Sequence, residues 1–328
     1  PAQTTTSSIK KFKTFNELQN RQKQFSLFNE TKKFVEGFSN SKIDLLKAAI
    51  QFLLFSNNSN IKTHYTYYGR TKFRVFYNSL VELLKTRSRT KFINNNFLSE
   101  ILHENFIFFP LQLDPERTIL IDAPFFTNQL ELVRNTAKSL PIGYKLYVKE
   151  HSAMITRSWR SLEYYKELQK IPNVILIHPS VKPEEILKKC SLVITINSTA
   201  AFDGAFYQKP SIVFGDPMYS SLPFVHKVDN IKNLPHLIRT SLESKVDLDK
   251  LTDFVNLLEE NSFEFEWMEF TSSVQRSFFM NGNLIDTQIS DKTMEKFQKA
   301  NEEILLPLID EHIKRIYQYI QFENNVDG

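Results

Sequence analysis

Cysteine and glycine are scarce in this chain, which has 328 residues but only 1 Cys and 7 Gly. The single cysteine, Cys190, excludes an intrachain disulfide framework and a cysteine-based zinc cluster, so a reducing compartment such as the cytoplasm is expected. The sequence contains no GxGxxG, P-loop, HExxH, GxSxG or CxxC motif. No local signature therefore supports a dinucleotide oxidoreductase, a Walker ATPase, a zincin or an α/β-hydrolase.

Long apolar runs and clusters of metal ligands are also absent from the sequence. No stretch approaches the roughly 20 apolar residues of a membrane-spanning helix, and the start, PAQTTTSSIKKFKTF, lacks the apolar segment of a signal peptide. We expect a chain that is soluble, or peripheral at the inner face of the membrane. Because no His/Cys cluster or aspartate-rich pair is present, we also expect no metal and no cofactor.

Positive charge is concentrated in one part of the chain. The net charge is only +4, but residues 61–96 contain eight Lys and Arg against one acid, Glu82, with Tyr and Phe interleaved. Such a segment suits a polyanion, whether nucleic acid, an anionic lipid surface or an acidic glycan, and it also suits a solvated helix with an aromatic inner face. We predict peripheral membrane association through residues 61–91, and we expect no nucleic acid partner.

The spacing of apolar residues divides the chain into three parts. Residues 1–104 have apolar residues at three- and four-residue steps, which predicts helices. Residues 105–240 alternate short apolar runs with amphipathic stretches, which predicts five parallel strands separated by helices. Residues 241–328 are predicted to be helical, with a kink or break at Leu306-Pro307. The predicted fold class is α/β, a doubly wound, Rossmann-like parallel-sheet domain with helical N-terminal and C-terminal regions.

A first cluster of polar residues follows the first predicted strand, in FFPLQLDPERT. In an open parallel sheet, ligands bind beyond the carboxyl ends of the strands, where such side chains can reach them. Gln112 and Glu116 place an amide and a carboxylate there, which suits general acid/base catalysis or stabilisation of a developing cation at a sugar carbon. A solvated loop carboxylate is the alternative for Glu116.

A second cluster begins in YVKEHS, after the second predicted strand, and continues into the next helix. Its members are charged or titratable: Lys149, Glu150, His151, Arg157 and Arg160. Several cations at one strand end predict an anion site, in which His151 donates a hydrogen bond to a phosphate oxygen or protonates a leaving group. His178 follows the third strand and is an alternative candidate for this role.

A third cluster lies in SLVITINSTAAFDGAFYQKPSIVFGD, where a strand, a polar elbow and a short helix are predicted. Asn197, Ser198 and Thr199 form the elbow, and we expect its hydroxyls and the N–H groups of the first helical turn to receive a phosphate. Asp203 lies about one turn into the helix, where it can reach a ribose hydroxyl. Plain N-capping is the alternative for Ser198 and Thr199, and both roles are compatible.

In this order and spacing, four stretches between Phe106 and about Phe224 resemble the capsule polysaccharide biosynthesis family: FFPLQLDPERT, LPIGYKLYVKEHS, RSLEYYKELQKIPNVILIHPSV and CSLVITINSTAAFDGAFYQKPSIVFG. The resemblance implies a domain like the C-terminal half of a glycosyltransferase-B enzyme. It also implies transfer of a sugar from a nucleotide-sugar donor to a glycan or glycolipid acceptor at the cell surface. Some relatives use a cytidine-monophosphate-activated ulosonic acid as the donor.

The motifs of the resembled family fall on the three clusters. Its Lys-Glu-His-Pro signature, whose His contacts donor phosphate in related enzymes, falls on Lys149, Glu150, His151 and Ser152, with Ser in place of Pro. Its phosphate elbow and its helix carboxylate, usually Glu, fall on residues 197–199 and Asp203. Its Gln-with-acid element, which carries the catalytic carboxylate, falls on Gln112 and Glu116.

Residues 1–104 do not show the strands expected for the acceptor domain of a complete glycosyltransferase-B enzyme. Three explanations stay open: helices replace that domain, a missing half lies upstream of Pro1, or the chain is a donor-binding module. Two other functions also stay open. One is transfer of glycerol phosphate from a cytidine-diphosphate donor, and the other is non-catalytic polyanion binding through residues 61–91.

Overall fold

We describe the protein from a computed structural model of the chain. The structure describes residues 12–24, 42–55, 71–102, 105–114, 116–155, 160–282 and 289–326. The chain divides into two compact units, of which the first comprises Pro1–Phe28 and Glu82–Glu260 and the second Asn29–Val81 and Asn261–Gly328. The three-part division into residues 1–104, 105–240 and 241–328 stays a prediction.

A six-stranded parallel sheet forms the centre of the first unit. Its strands are β1 (Phe106–Pro110), β2 (Lys145–Lys149), β3 (Val174–Ile177), β4 (Leu192–Thr195), β5 (Ser211–Val213) and β6 (Val225–Lys227). The order β3-β2-β1-β4-β5-β6, with all neighbours parallel, is that of a doubly wound α/β fold, so the predicted fold class is confirmed. The sequence predicts β1 to β5 but not β6, because three residues, VHK, are too few for a periodic signal.

Helices precede, connect and follow the strands. In chain order they are α1 (Phe15–Gln24), α2 (Lys42–Phe55), α3 (Lys72–Asn96), α4 (Arg117–Leu120), α5 (Gln129–Lys138), α6 (Leu162–Gln169), α7 (Pro183–Lys189), α8 (Ala200–Ala205), α9 (Leu234–Glu243), α10 (Leu248–Glu260), α11 (Trp267–Phe278), α12 (Asp291–Ala300) and α13 (Glu302–Val326). Short 3-10 turns lie at Pro124–Phe126, Ser152–Ile155 and Ile231–Asn233. Within the described residues, none of these helices combines the length and apolar character needed to cross a membrane.

Both faces of the sheet are covered, which explains why its strands are uninterrupted apolar runs. Side chains of a strand point alternately to the two faces. Ile107 and Phe109 of β1 therefore pack in the layer formed with α5, α6 and α9, whereas Phe106 and Phe108 pack in the layer formed with α7, α8 and α10. These two apolar layers hold the carboxyl ends of β1, β2 and β4 side by side at one edge.

Small residues let α8 lie close to the sheet. A Cβ atom placed on Gly204 would come within 3.0 Å of Cγ2 of Val193 in β4. Ala201 and Ala205, on the same helix, are fully buried. Because α8 starts at the polar elbow after β4, this close packing also determines where the elbow lies at the edge of the sheet.

The helices of the second unit include α2, α11, α12 and α13. The rings of Phe278 and Phe297 pack between α11 and α12, with centroids 4.7 Å apart. Of the kink or break expected at Leu306-Pro307, the break was wrong, because α13 continues through Pro307 and the helix is interrupted at Asn301 instead. The kink stays a prediction. Pro307 lies in the second turn of α13, where its missing N–H removes a single helical hydrogen bond.

Candidate functional site at the carboxyl edge of the sheet

The predicted clusters meet at one edge of the sheet, beyond the carboxyl ends of β1, β2 and β4. The strand order reverses between β1 and β4, and this reversal leaves the crevice in which doubly wound folds bind ligands. Pro110 pairs with Lys149 across β1 and β2, and the N–H of Leu111 donates to the carbonyl of Lys149 at 2.9 Å. Gln112 therefore leaves β1 directly beside the end of β2.

Gln112 joins the first cluster to the elbow after β4. In the amide orientation that satisfies both of its polar ends, Oε1 accepts hydrogen bonds from the N–H of Asn197 at 3.2 Å and from the N–H of Ser198 at 3.0 Å. The Gln112 side chain is buried and crosses the point where the strand order reverses. These two N–H groups are therefore bonded inside the protein, and a ligand at the elbow must use the remaining polar groups.

Glu150 and Arg160 form a buried ion pair. Nη1 of Arg160 donates to both carboxylate oxygens of Glu150, which is 1% exposed. The same carboxylate accepts from the hydroxyl of Tyr165 at 2.8 Å and from the N–H of His151 at 2.6 Å. Burial alone would lower the pKa of Arg160, but the facing Glu150 carboxylate raises it above its ordinary value. Both charged groups therefore bond within the protein.

The ion pair is connected to Gln112 through Asp114 and Gln129, two residues that the sequence patterns did not single out. Nη2 of Arg160 donates to the carbonyl of Gln112 and to Oδ2 of Asp114, the latter at 2.9 Å. Oε1 of Gln129 accepts from the N–H of Gln112 at 2.8 Å, and its Nε2 donates to Oδ2 of Asp114 at 2.8 Å. The available signal for Gln129 was its position, as a polar residue on the apolar inner face of α5.

Lys149 places a buried cation at the same edge. The residue is 5% exposed, and its ammonium makes no hydrogen bond or ion pair with the residues that the structure describes. Burial lowers the pKa of Lys149 from 10.5 to about 8, while the adjacent Glu150 carboxylate acts in the opposite direction. Burial and the charge of Lys149 also lower the pKa of His178. Because an unpaired buried charge is unfavourable, an anion that reaches this ammonium gains strongly from the contact.

The two candidate histidines have different surroundings. Nδ1 of His151 accepts a hydrogen bond from the N–H of Ala153 at 3.2 Å, so the neutral ring carries its proton on Nε2 and can donate it to an anion. The ring nitrogens of His178 lie 2.6 Å from Oγ of Ser180 and 3.1 Å from Oδ1 of Asn94. The His178 ring is therefore held by two neighbours.

The elbow after β4 contains both a helix cap and polar groups that remain open. Oγ of Ser198 accepts from the N–H of Ala200 at 3.2 Å, and the hydroxyl of Tyr219 donates to the Ser198 carbonyl. Thr199 is exposed and makes no capping bond. Oδ1 of Asn197 is buried and has no partner among the described residues, so it is an acceptor for a donor group on a ligand.

Asp203 lies one turn into α8, on the elbow side of the crevice. Burial raises the pKa of Asp203 to about 6, so the carboxylate is ionised at neutral pH. Burial and the Asp203 charge together raise the pKa of Tyr219, whose hydroxyl bonds the elbow. A half-buried carboxylate with a raised pKa close to a strand end is a frequent feature of functional sites.

The predicted site residues thus separate into three groups. Those at the edge or one turn from it are Gln112, Lys149, His151, Asn197, Ser198, Thr199 and Asp203, and Glu116 is half-buried at the start of α4. Glu150 and Arg160 belong to the internal ion pair, and Arg157 lies outside the described residues. In the described part of the chain, no three His, Cys, Asp or Glu side chains are grouped so that they could hold a metal ion.

The buried ion pair generates a first prediction. Arg160→Met should lower the free energy of unfolding by about 3 to 5 kcal/mol, because it leaves the Glu150 carboxylate buried without its cation. Adding Glu150→Gln should restore part of the loss, since no charge then remains unpaired. Urea denaturation measures both, with Lys170→Met, which removes an exposed ion pair, as a control that should change little. A double variant no more stable than Arg160→Met would contradict the assignment.

Removing the charge of Lys149 should stabilise the protein, whereas removing the charge of Arg160 should destabilise it. Lys149→Met should raise the free energy of unfolding at pH 7 by about 3 kcal/mol, because the folded state no longer buries an unpaired charge. The gain should shrink as the pH rises from 8 to 10.5, where wild-type Lys149 is neutral in the folded state but still protonated in the unfolded state. Denaturant titrations across this pH range measure the effect, with the exposed Lys182→Met as control. A loss of stability at pH 7 would show that the ammonium is bonded in the fold.

Solved structures with partial similarity to this chain include two transferases and an epimerase. The KpsC β-Kdo 2,4 transferase of Thermosulfurimonas dismutans is 15% identical, with 48% of this chain and 46% of that chain covered and a TM-score of 0.34. The β-Kdo 2,7 transferase of the same protein is 17% identical, with 52% and 51% covered and a TM-score of 0.33. The UDP-GlcNAc 2-epimerase of Methanocaldococcus jannaschii is 13% identical, with 53% and 49% covered and a TM-score of 0.34.

The chain spans about half the length of these solved structures. No curated protein matches it in sequence. The family model described as capsule polysaccharide biosynthesis protein matches residues 14–224, which is more than half of the chain and includes the predicted site. The chain therefore belongs to the capsule polysaccharide biosynthesis family.

Proposed function

We propose that this chain is a glycosyltransferase that binds a nucleotide-sugar donor and transfers the sugar to a glycan or glycolipid acceptor of a surface polysaccharide. The observation that supports the proposal most strongly is the buried ammonium of Lys149, which has no partner among the described residues and favours an anionic ligand. Membership of the capsule polysaccharide biosynthesis family supports the same reaction class. A cytidine-monophosphate-activated ulosonic acid is the donor to test first.

The proposed donor extends from β2 to the elbow after β4. The ends of β2 and β4 lie two strand spacings apart across β1, roughly 10 Å, which a nucleotide sugar can span. In this arrangement the phosphate contacts Lys149 and Nε2 of His151. The nucleoside lies at the elbow, where Asp203 accepts hydrogen bonds from ribose hydroxyls and Oδ1 of Asn197 accepts from an N–H or hydroxyl of the nucleoside.

The proposed chemistry is cleavage of the bond between the sugar carbon and the phosphate oxygen. The phosphate leaves with the electron pair, and its growing negative charge interacts more strongly with Lys149 and His151 in the transition state than in the ground state. An acceptor hydroxyl forms the new bond to the sugar carbon and passes its proton to Glu116. Gln112 acts as a positioning residue in this scheme, because its side chain bonds the backbone of the elbow.

The nucleotide dependence of thermal stability tests this proposal. Cytidine, uridine and guanosine mono- and diphosphates, with their sugars, form the panel, and a ligand at 100 times its Kd should add roughly 2.7 kcal/mol to the free energy of unfolding. Lys149→Met should abolish the stabilisation while Lys182→Met keeps it. In the wild-type protein the Kd should rise as the pH passes 8, because the ammonium then loses its proton.

Three outcomes of this panel distinguish between the candidate functions. Stabilisation by one donor, followed by release of its nucleotide when acceptor glycan is added, supports the proposal. Stabilisation by CDP-glycerol and by no nucleotide sugar would replace it with glycerophosphate transfer. A third outcome is that no nucleotide changes the thermal stability and that an acidic polysaccharide binds with a steep salt dependence. This outcome would replace the proposal with non-catalytic polyanion binding.

Peripheral association with an anionic membrane is a second part of the proposal. Glu82, the acid of α3, is paired with Lys85 at 3.1 Å and with Arg89 at 3.0 Å, so Arg87 and Lys91 add positive charge that it does not neutralise. Residues 61–70 of the basic segment lie outside the described residues. Vesicles that contain phosphatidylglycerol should retain the chain at low salt and release it at high salt, whereas neutral vesicles should not retain it. Equal retention on both would contradict this part.

A further inference from the structure

Strand β4 ends at Thr195, whose side chain is buried without a hydrogen-bond partner. The residue is 0% exposed, and its Oγ1 bonds no group in the described part of the chain. The sequence patterns did not single it out, because a β-branched residue inside an apolar run is usual in a strand. A buried hydroxyl that bonds nothing is unfavourable and uncommon. Thr195 is therefore similar to Lys149, the other buried polar residue at a strand end that lacks a partner among the described residues.

The strand register places Thr195 and Lys149 in one row across three neighbouring strands. Lys149 of β2 pairs with Pro110 of β1. On the other side of β1, Phe108 pairs with Val193 of β4. Counting two residues further along both strands sets Pro110 beside Thr195. The row therefore runs from the ammonium of Lys149, across Pro110, to the hydroxyl of Thr195.

The two polar groups also share one face of the sheet. Tyr147 lies two residues before Lys149, and Val193 lies two residues before Thr195; both pack in the layer formed with α7, α8 and α10. Side chains two residues apart along a strand point to the same side, so Lys149 and Thr195 point to this layer as well. Pro110, between them, is only half-buried, whereas its two neighbours are buried. The row is therefore partly accessible at its middle.

The row suits a group that accepts hydrogen bonds from both of its ends. Neighbouring strands lie roughly 5 Å apart, so the Cα atoms of Lys149 and Thr195 are separated by roughly 10 Å. Both side chains extend into this gap. An ammonium can only donate hydrogen bonds, and a hydroxyl can donate one, so an oxyanion satisfies both. The ring of Pro110 carries no polar atom that could compete for the same ligand.

We propose that Thr195 donates a hydrogen bond to the phosphate group that Lys149 binds, with the phosphate lying over Pro110. This inference rests on the function proposed above and adds a binding residue for the phosphate of the donor. The ammonium supplies charge, and the hydroxyl supplies a directed hydrogen bond to a charged acceptor. Because both residues end strands of the sheet, they hold the phosphate more precisely than loop residues would.

Binding of small phosphates to the full chain tests this proposal. Thr195→Val keeps the shape of the side chain and removes its hydroxyl. Of inorganic phosphate and cytidine, uridine and guanosine monophosphates, those that bind the wild type should bind this variant with a Kd raised at least about tenfold, because a hydrogen bond to a charged group is lost. Titration calorimetry measures the Kd. The nucleosides, which lack phosphate, should show no difference between the two proteins, and Thr195→Ser should retain most of the affinity.

Thr136→Val is the matched control. Thr136 is also 0% exposed, and its Oγ1 also lacks a partner among the described residues. It lies on α5, which packs on the other face of the sheet, roughly 10 Å along the helix from Gln129. Thr136→Val should therefore leave the affinity for every phosphate unchanged.

The stability of the ligand-free protein separates a binding role from a structural one. Thr195→Val should resist urea at least as well as the wild type, because it removes an unbonded buried hydroxyl. A clear loss of stability would show that the hydroxyl is bonded in the fold and would overturn the proposal. So would phosphate binding that Thr195→Val leaves unchanged, or an equal loss of affinity in Thr136→Val. A wild type that binds neither phosphate nor any nucleotide would instead contradict the proposed function, and this inference with it.

Discussion

The candidate site depends on one electrostatic constraint, the ammonium of Lys149 at the end of β2, which has no bonding partner among the described residues. Charge in a poorly hydrated place is unfavourable, and the lowered pKa of Lys149 reflects that. A residue that contributed only to stability would have Met or Leu at this position, since either would fill the space without the desolvation penalty. Retention of the cation is understandable if a ligand supplies the missing negative charge.

The neighbouring charges show how the fold can hold such a group. Glu150 follows Lys149 directly, yet its carboxylate bonds Arg160, Tyr165 and the N–H of His151 and is fully satisfied. That network extends to the backbone of Gln112, whose side chain in turn bonds the elbow after β4. Most polar atoms of this network are bonded, which restricts its movement, although Nε of Arg160 is buried without a partner among the described residues. Lys149 and the polar groups of the elbow are therefore presented by a framework that has little freedom to rearrange.

The fold and the meeting of the three polar clusters at one edge of the sheet could be predicted from the sequence, because both depend on short-range patterns. Apolar runs separated by amphipathic stretches predict parallel strands, and polar residues after a strand must lie at the carboxyl edge. The partners of those residues depend on contacts between distant segments. Nothing in the local sequence indicates that Arg160 bonds Glu150, or that Gln129 bonds the backbone of Gln112. Lys149 and Glu150 were predicted to act together, but the side chains of neighbouring residues in an extended chain point to opposite sides. The Glu150 carboxylate bonds Arg160 inside the protein, whereas the Lys149 ammonium has no partner among the described residues.

Direct titration of Lys149 tests this electrostatic account most closely. NMR of protein with labelled lysine side chains, with Lys149→Met used to assign the signal, gives the pKa of the ammonium with and without a nucleotide sugar. We expect a value of about 8 in the ligand-free protein and a clear increase when an anionic ligand binds. A value near 10.5 that does not respond to any nucleotide would contradict the account.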